Sequence, residues 1–253
     1  MLLTLGWRDR FRCNTINMES ITHLRRAWSE LNIIRPTTSR KLIMRSVMLM
    51  NAKGGCGKTT LATNLATWYA DEGLKVALAD FDPQKSSLDW LEARQDYAGI
   101  PDIQAIDATG EPIKTKKGTD LLIMDAPAGT HGKAINKMLK RVDTLVLPVL
   151  PSPIDIRACS RFLEELLSSN RISRHQTRIG IVANRVHEKT IIYHELEKFL
   201  GHLKVPVITH LRESKNYIQS AERGLGIFEL APSQVYQDVI LWDALFDWLD
   251  IKI

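Results

Sequence analysis

The chain has 253 residues, with 34 lysines and arginines against 29 aspartates and glutamates, a formal net charge of +5. A hydrophobic share of 44% and a charged share of 25% are those of a globular protein, which excludes a disordered, collagen-like or coiled-coil chain. No stretch approaches the roughly 20 uninterrupted apolar residues that span a bilayer, so a transmembrane protein is not expected. Cys13, Cys56 and Cys159 stand too far apart for a disulfide framework or a CxxC metal pair, which suits a reducing cytosol.

The charge is unevenly placed. Residues 1–43 hold eight basic side chains and three acidic ones, the whole surplus, whereas residues 44–253 hold 26 of each sign. This leader lacks the basic start, long apolar core and small-residue cleavage site of a secretory signal. Met44 falls directly before the first strand pattern. Residues 1–43 therefore read as a basic extension, either an over-extended start with translation expected from Met44 or an arm that touches DNA, and 44–253 as one working domain.

From Arg45 onward, short apolar runs alternate with amphipathic stretches. In chain order, SVMLMNA is followed by TLATNLATWYADEG, KVALADFD by SSLDWLEARQDYAG, and LLIMDAP by KAINKMLKRV. TLVLPVLP then precedes IRACSRFLEELLSSN, RIGIVANRV precedes IIYHELEKFLGHL, and VPVITHL precedes YIQSAERGLGIFEL and VYQDVILWDALFDWL. Continuous runs rich in Val, Ile and Leu suit strands buried on both faces. Gly73 and Gly99 are placed to end the first two helices. The repeated alternation predicts an α/β fold, a mostly parallel twisted sheet flanked by helices.

The segment Asn51-Ala-Lys-Gly-Gly-Cys-Gly-Lys-Thr-Thr60 lies between the first strand and the first helix, where a phosphate-binding loop works. Gly54, Gly55 and Gly57 let backbone N–H groups turn inward toward phosphate oxygens. With Cys56 and Thr60 they form the expected nucleotide cradle. Lys58 is placed to reach the β- and γ-phosphates, and the Thr59 hydroxyl to coordinate Mg²⁺. A Cys56 thiol among inward-pointing amides is expected to have a lowered pKa. Asp80 and Asp82 end the next strand, and alternation puts both on one side of it. Asp125 ends the LLIM run.

The loop has Ala52 where the general GxxxxGK[ST] pattern has its first glycine, and it carries a second lysine, Lys53, five residues before Lys58. In this it resembles the deviant Walker A ATPases, the ParA/Soj/MinD family, whose loop reads KGGxGK[ST]T. The resemblance implies a P-loop fold that uses ATP and Mg²⁺. It also implies that Lys53 reaches across an ATP-dependent homodimer to the partner's nucleotide. DFDPQ matches the family's DxDPQ, so Asp82 would orient the hydrolytic water and Asp80 would support the metal shell. LLIMD matches the Walker B pattern, with Asp125 holding Mg²⁺ through water. IVANRV is similar to the adenine-side strand, which assigns Asn184 to the base.

The likeness extends over nearly all of 44–253. LVLPVLPSPIDIRA is similar to the PSPLD segment of short, plasmid-type ParA proteins, and THLRESKNYIQSAERGLGIFE to the family's C-terminal block. That length leaves no room for a helix-turn-helix ahead of the ATPase. ParA-type members bind DNA non-specifically. The resemblance puts Arg212, Lys215 and Arg223 in the DNA-contact region; Arg171, Arg174 and Arg178 are further candidates to extend that patch, and ordinary surface pairs with Glu213 and Glu222 are the competing reading. Membrane attachment is not expected: the last helix carries Asp243, Asp247 and Asp250 against Lys252, and anionic lipid repels such a face. Leu241, Leu245 and Leu249 read as core contacts.

The implied protein is a slow, partner-stimulated ATPase, cytoplasmic and nucleoid-associated, that positions a plasmid, chromosome or protein organelle through a separate adaptor. An ATP-dependent metal or iron–sulfur carrier of the same fold, a MinD-like spatial regulator and a polymer-forming scaffold are the alternatives.

Overall fold

The computed structural model describes residues 44–251 except 111, 141, 170, 171, 173, 175, 188, 189 and 204. The basic extension 1–43, Arg171 and Lys252 lie outside the described residues. The strands are β1 (Arg45–Leu49), β2 (Val76–Asp80), β3 (Ile103–Asp107), β4 (Leu121–Asp125), β5 (Thr144–Val149), β6 (Arg178–Val186) and β7 (Val207–Arg212). They form one sheet in the order β3-β2-β4-β1-β5-β6-β7, and each neighbouring pair is parallel. β2, β4 and β5 are buried along their whole length, and β1 after its first residue. This is why their sequences are unbroken apolar runs rather than alternating ones.

The helices are α1 (Lys58–Asp71), α2 (Ser86–Arg94), α3 (Lys133–Leu139), α4 (Pro153–Leu167), α5 (Ile191–Leu200), α6 (Lys215–Ala221), α7 (Pro232–Val239) and α8 (Asp243–Leu249). Successive strand residues serve opposite faces. Val47, Leu49 and Ile123 meet Leu61, Leu65 and Tyr69 of α1 and Leu245 and Leu249 of α8. Met48, Met50 and Met124 meet Leu139 of α3, Phe162 and Leu166 of α4 and Leu196 of α5. Side-chain caps from Ser152, Thr190 and Ser214 start α4, α5 and α6, each satisfying an amide that the helix leaves open. Among the described residues no helix is long and apolar enough to cross a membrane.

Four expectations are corrected. The sheet has a seventh strand, β3, whose mixed exposure at the edge hides it among polar residues. The second helix stops at Arg94, five residues before Gly99. YIQSAERGLGIFEL is not one helix: it breaks after Ala221, turns, and resumes as a 3₁₀ turn at Ile227–Glu229. The break is required at Gly224, where φ is +65° and a Cβ would stand 2.3 Å from the Arg94 backbone nitrogen. The final stretch likewise divides into α7, a 3₁₀ turn at Ile240–Trp242, and α8.

Candidate nucleotide site

The phosphate loop leaves the carboxyl end of the central strand, with β4 on one side and β5 on the other. In a parallel sheet this is where ligands bind, because loops from neighbouring strands diverge there. Asn51, which the motif reading passed over, anchors the loop: its Nδ2 donates to the Pro148 carbonyl at 2.7 Å, and its Oδ1 accepts from Lys53 N at 3.2 Å. Gly57 has φ +95°, and a Cβ there would lie 2.2 Å from Asn184 Nδ2. That same Nδ2 donates to the Cys56 carbonyl at 2.8 Å. The structure thus seats Asn184, expected at the base, directly behind the loop.

Both lysines are held. Lys58 is only 7% exposed, and its Nζ donates to the Lys53 carbonyl at 3.3 Å. Lys53 Nζ, 37% exposed, pairs at 2.8 Å with Asp155 Oδ2, a carboxylate 4% exposed near the start of α4. The Ser152 hydroxyl also donates to that oxygen. Asp155 is a site residue that sequence reasoning did not single out; the contact spans 102 positions. Gly54 and Gly55 are exposed at the loop tip, and Thr60 is half-buried in the first turn of α1.

The Cys56 expectation is overturned. The thiol is fully buried and donates to the Lys53 carbonyl at 3.3 Å. Burial raises its pKa, and the nearby Lys58 charge only partly opposes this.

Asp80 and Asp125 are register partners at the ends of β2 and β4. Thr59 Oγ1 donates to Asp125 Oδ2 at 2.7 Å. The other Asp125 oxygen is buried with no partner among the described residues. Burial pushes the Asp125 carboxyl up to about 7; the Thr59 hydrogen bond works against this, and the field of Asp80 adds to it. A buried carboxylate oxygen without a donor, beside a hydroxyl at the start of a phosphate-loop helix, is the hard-oxygen donor set that suits Mg²⁺. Asp80 is fully buried and fully bonded: Oδ1 accepts from Asp82 N at 2.9 Å, and Oδ2 from Ser87 N and Oγ at 2.9 and 2.6 Å. It therefore shapes the turn that presents Asp82. Asp82 is half-buried and accepts from Gln84 N at 3.0 Å.

The expected basic patch is divided. Arg212 Nε pairs with the buried Asp238, which also accepts from Ser214 Oγ and Asn216 Nδ2. Glu213 instead takes Arg185 and His187 at 2.9 and 2.6 Å. Lys215 and Arg223 are exposed and pair with no acid among the described residues. Arg178 does not extend this patch. It begins β6 while Arg212, in register with Val186, ends β7, so about 26 Å of strand separates their rows. Its guanidinium caps α8 through the Trp248 carbonyl at 2.7 Å. Cys159 lies fully buried on the inner face of α4 with a thiol pKa raised by burial to about 12, which removes it as a surface cluster ligand.

A family model, the CobQ/CobB/MinD/ParA nucleotide binding domain, matches residues 47–227. The chain is similar to Maintenance of carboxysome distribution protein A of Halothiobacillus neapolitanus, 27% identical over 192 residues that cover 73% of this chain and 87% of that protein. Its fold is similar to that of a plasmid partition protein from Borrelia burgdorferi bound to AMPPNP, with a TM-score of 0.64 at 15% identity, covering 81% of this chain and 100% of that one. It is also similar to the septum site-determining protein MinD of Pyrococcus horikoshii complexed with Mg-ADP, with a TM-score of 0.64 at 18% identity, covering 82% and 96%.

Proposed function

The chain belongs to the CobQ/CobB/MinD/ParA family of nucleotide-binding domains, and on that premise we propose that it is a ParA-type ATPase that dimerises with ATP, binds DNA non-specifically and positions a cargo. The observation that carries this reading is Lys53. It is a cation at the lip of the phosphate loop, half-exposed, and restrained in cis by Asp155. Lys58 already serves the loop from inside. A second lysine on the rim is suited to phosphate charge outside its own loop, in a second copy of the chain.

In the proposed cycle the amides of Gly54–Thr60 cradle the phosphates, Lys58 offsets their charge and Asn184 keeps the loop closed from behind. Thr59 and Asp125 would hold Mg²⁺, which supplies charge neutralisation on the phosphate oxygens. Asp82 orients water, on a turn set by Asp80 and Ser87. Lys53 leaves Asp155 on dimerisation and acts on the partner's phosphates, as an arginine finger does in other phosphoryl transfers. Lys215 and Arg223, with what remains open of Arg212, contact DNA phosphates on the nucleoid, where affinity falls steeply with salt. A separate adaptor stimulates the slow hydrolysis. Likeness to a carboxysome-distribution protein favours a protein organelle as the cargo.

The test is Asp82→Ala. ATP-bound dimers should accumulate with hydrolysis nearly abolished, and ordinary turnover in that variant would sink the reading. Lys53→Ala protein that keeps the full adaptor-stimulated rate would remove the role in trans.

A further inference from the structure

β4 ends at Asp125, and the chain then runs as a loop, residues 126–132, to α3. Its near end is fixed to the sheet, with Ala126 N donating to the Leu49 carbonyl at 3.1 Å. Its middle is fixed to the phosphate loop, with Gly129 N donating to the Ala52 carbonyl at 2.8 Å. The far end is fixed by one side chain from elsewhere in the fold. Glu165, on the last turns of α4, takes the Gly132 amide with one carboxylate oxygen and His131 Nδ1 with the other, the latter at 3.0 Å. The His131 ring stands edge-on to Phe162 of the same helix, with centroids 6.1 Å apart.

Two glycines leave loop 126–132 with backbone freedom that its ties must restrain. Gly129 and Gly132 both have positive φ, 71° and 60°, and glycine in such positions has the most backbone freedom to regain. An exposed His–Glu pair alone contributes little. A carboxylate accepting from a backbone amide is a stronger, charge-assisted tie, and it acts on the segment where the freedom lies. His131 and Gly132 draw the Glu165 pKa below the usual carboxylate value, in that order of effect, as two bonds to the ionised form require. A cleft of about 440 Å³ lies beside the tie, bounded by Lys53, Arg161, Phe162 and Glu165. The same helix therefore holds Lys53 through Asp155 and the Asp125 loop through Glu165, ten residues or about 15 Å apart.

We propose that Glu165 is a positioning residue for hydrolysis: by clamping Gly132 and His131 it sets the fraction of molecules in which the loop after Asp125 stands closed against the phosphate loop. This rests on the ATPase reading above. Glu165 touches no reacting atom and works through the loop backbone.

The experiment compares wild type, Glu165→Ala and Glu165→Gln. In Glu165→Ala, kcat for ATP should fall about fivefold while KM and the affinity for a fluorescent ATP analogue stay within about twofold. Glu165→Gln, whose amide oxygen still accepts from Gly132, should recover most of the rate. An unchanged kcat, or equal loss in KM and binding, would overturn the proposal. Hydrogen–deuterium exchange of the nucleotide-free protein gives a readout independent of turnover. Peptides covering 126–132 should exchange faster in Glu165→Ala while those of β4 do not, and identical exchange overturns the clamp. If wild type hydrolyses no ATP, the ATPase reading fails, and the exchange measurement alone decides the clamp.

Discussion

Arg94 and Glu229 form a buried ion pair across 135 positions, each side chain 5% exposed. The fork is bidentate, 2.7 Å on both arms, and the guanidinium also donates to the carbonyls of Gly224 and Pro101 at 3.3 Å. Glu229 in turn accepts from Gly226 N at 2.8 Å. Replacing Glu229 with Ala leaves a guanidinium buried between two carbonyls with no counter-charge, a loss of about 3–5 kcal/mol. For a domain of this size that corresponds to a fall in Tm of about 6–20 °C. Urea unfolding at constant m-value measures it directly. The double replacement Arg94→Met with Glu229→Leu removes both charges together and should recover most of the loss, because the desolvation of the pair nearly cancels its attraction. A single-variant loss below about 1 kcal/mol, or a double variant no better than either single one, would refute the assignment of this pair as the fastener of α2 to the 224–229 turn.

Gly57→Ala should weaken binding of a fluorescent ATP analogue by tenfold or more, since the added methyl meets Asn184 Nδ2 at 2.2 Å on a backbone with φ +95°. Asn184→Ala should weaken it by about tenfold by freeing the loop at Cys56. Asp155→Ala releases Lys53 from its restraint in cis, and light scattering with ATP should show a dimer constant about threefold higher, the scale of a part-exposed ion pair. Cys56 and Cys159 are buried with thiol pKa values raised by burial. Peptide mapping should therefore find both unalkylated in native protein at pH 8 and alkylated in urea.

The parts of the site visible in the sequence are those made by neighbours along the chain. The phosphate loop, Thr59, Lys58 and the strand-end aspartates are contiguous motifs, and β1, β2, β4 and β5 announce themselves because burial on both faces demands unbroken apolar runs. β3 escapes because an edge strand keeps only part of its surface inside. What stayed hidden are partnerships at long range. Asp155 meets Lys53, Asn184 meets Cys56 and Glu165 meets Gly132 only once the sheet has brought β4, β5 and β6 beside the loop. Asp80 and Cys56 show a second limit: residue type and spacing locate them, but their role is decided by Ser87 in one case and by burial in the other.

The helix that carries the phosphate loop has its outer side closed late in synthesis. Trp68 of α1 stacks on Phe246 at 4.5 Å, Tyr69 meets the same ring edge-on, and Trp242 is fully buried nearby. β1, the first strand among the described residues, also waits for β4 and β5 to flank it. A chain still on the ribosome with residues 44–200 translated therefore shows an aromatic ridge along α1 that Phe228 and Phe246 cover in the finished fold. The ties on the nucleotide loop itself, from Pro148, Asp155 and Asn184, are all translated by then, so it is the ridge and not the loop that waits for the C-terminal segment.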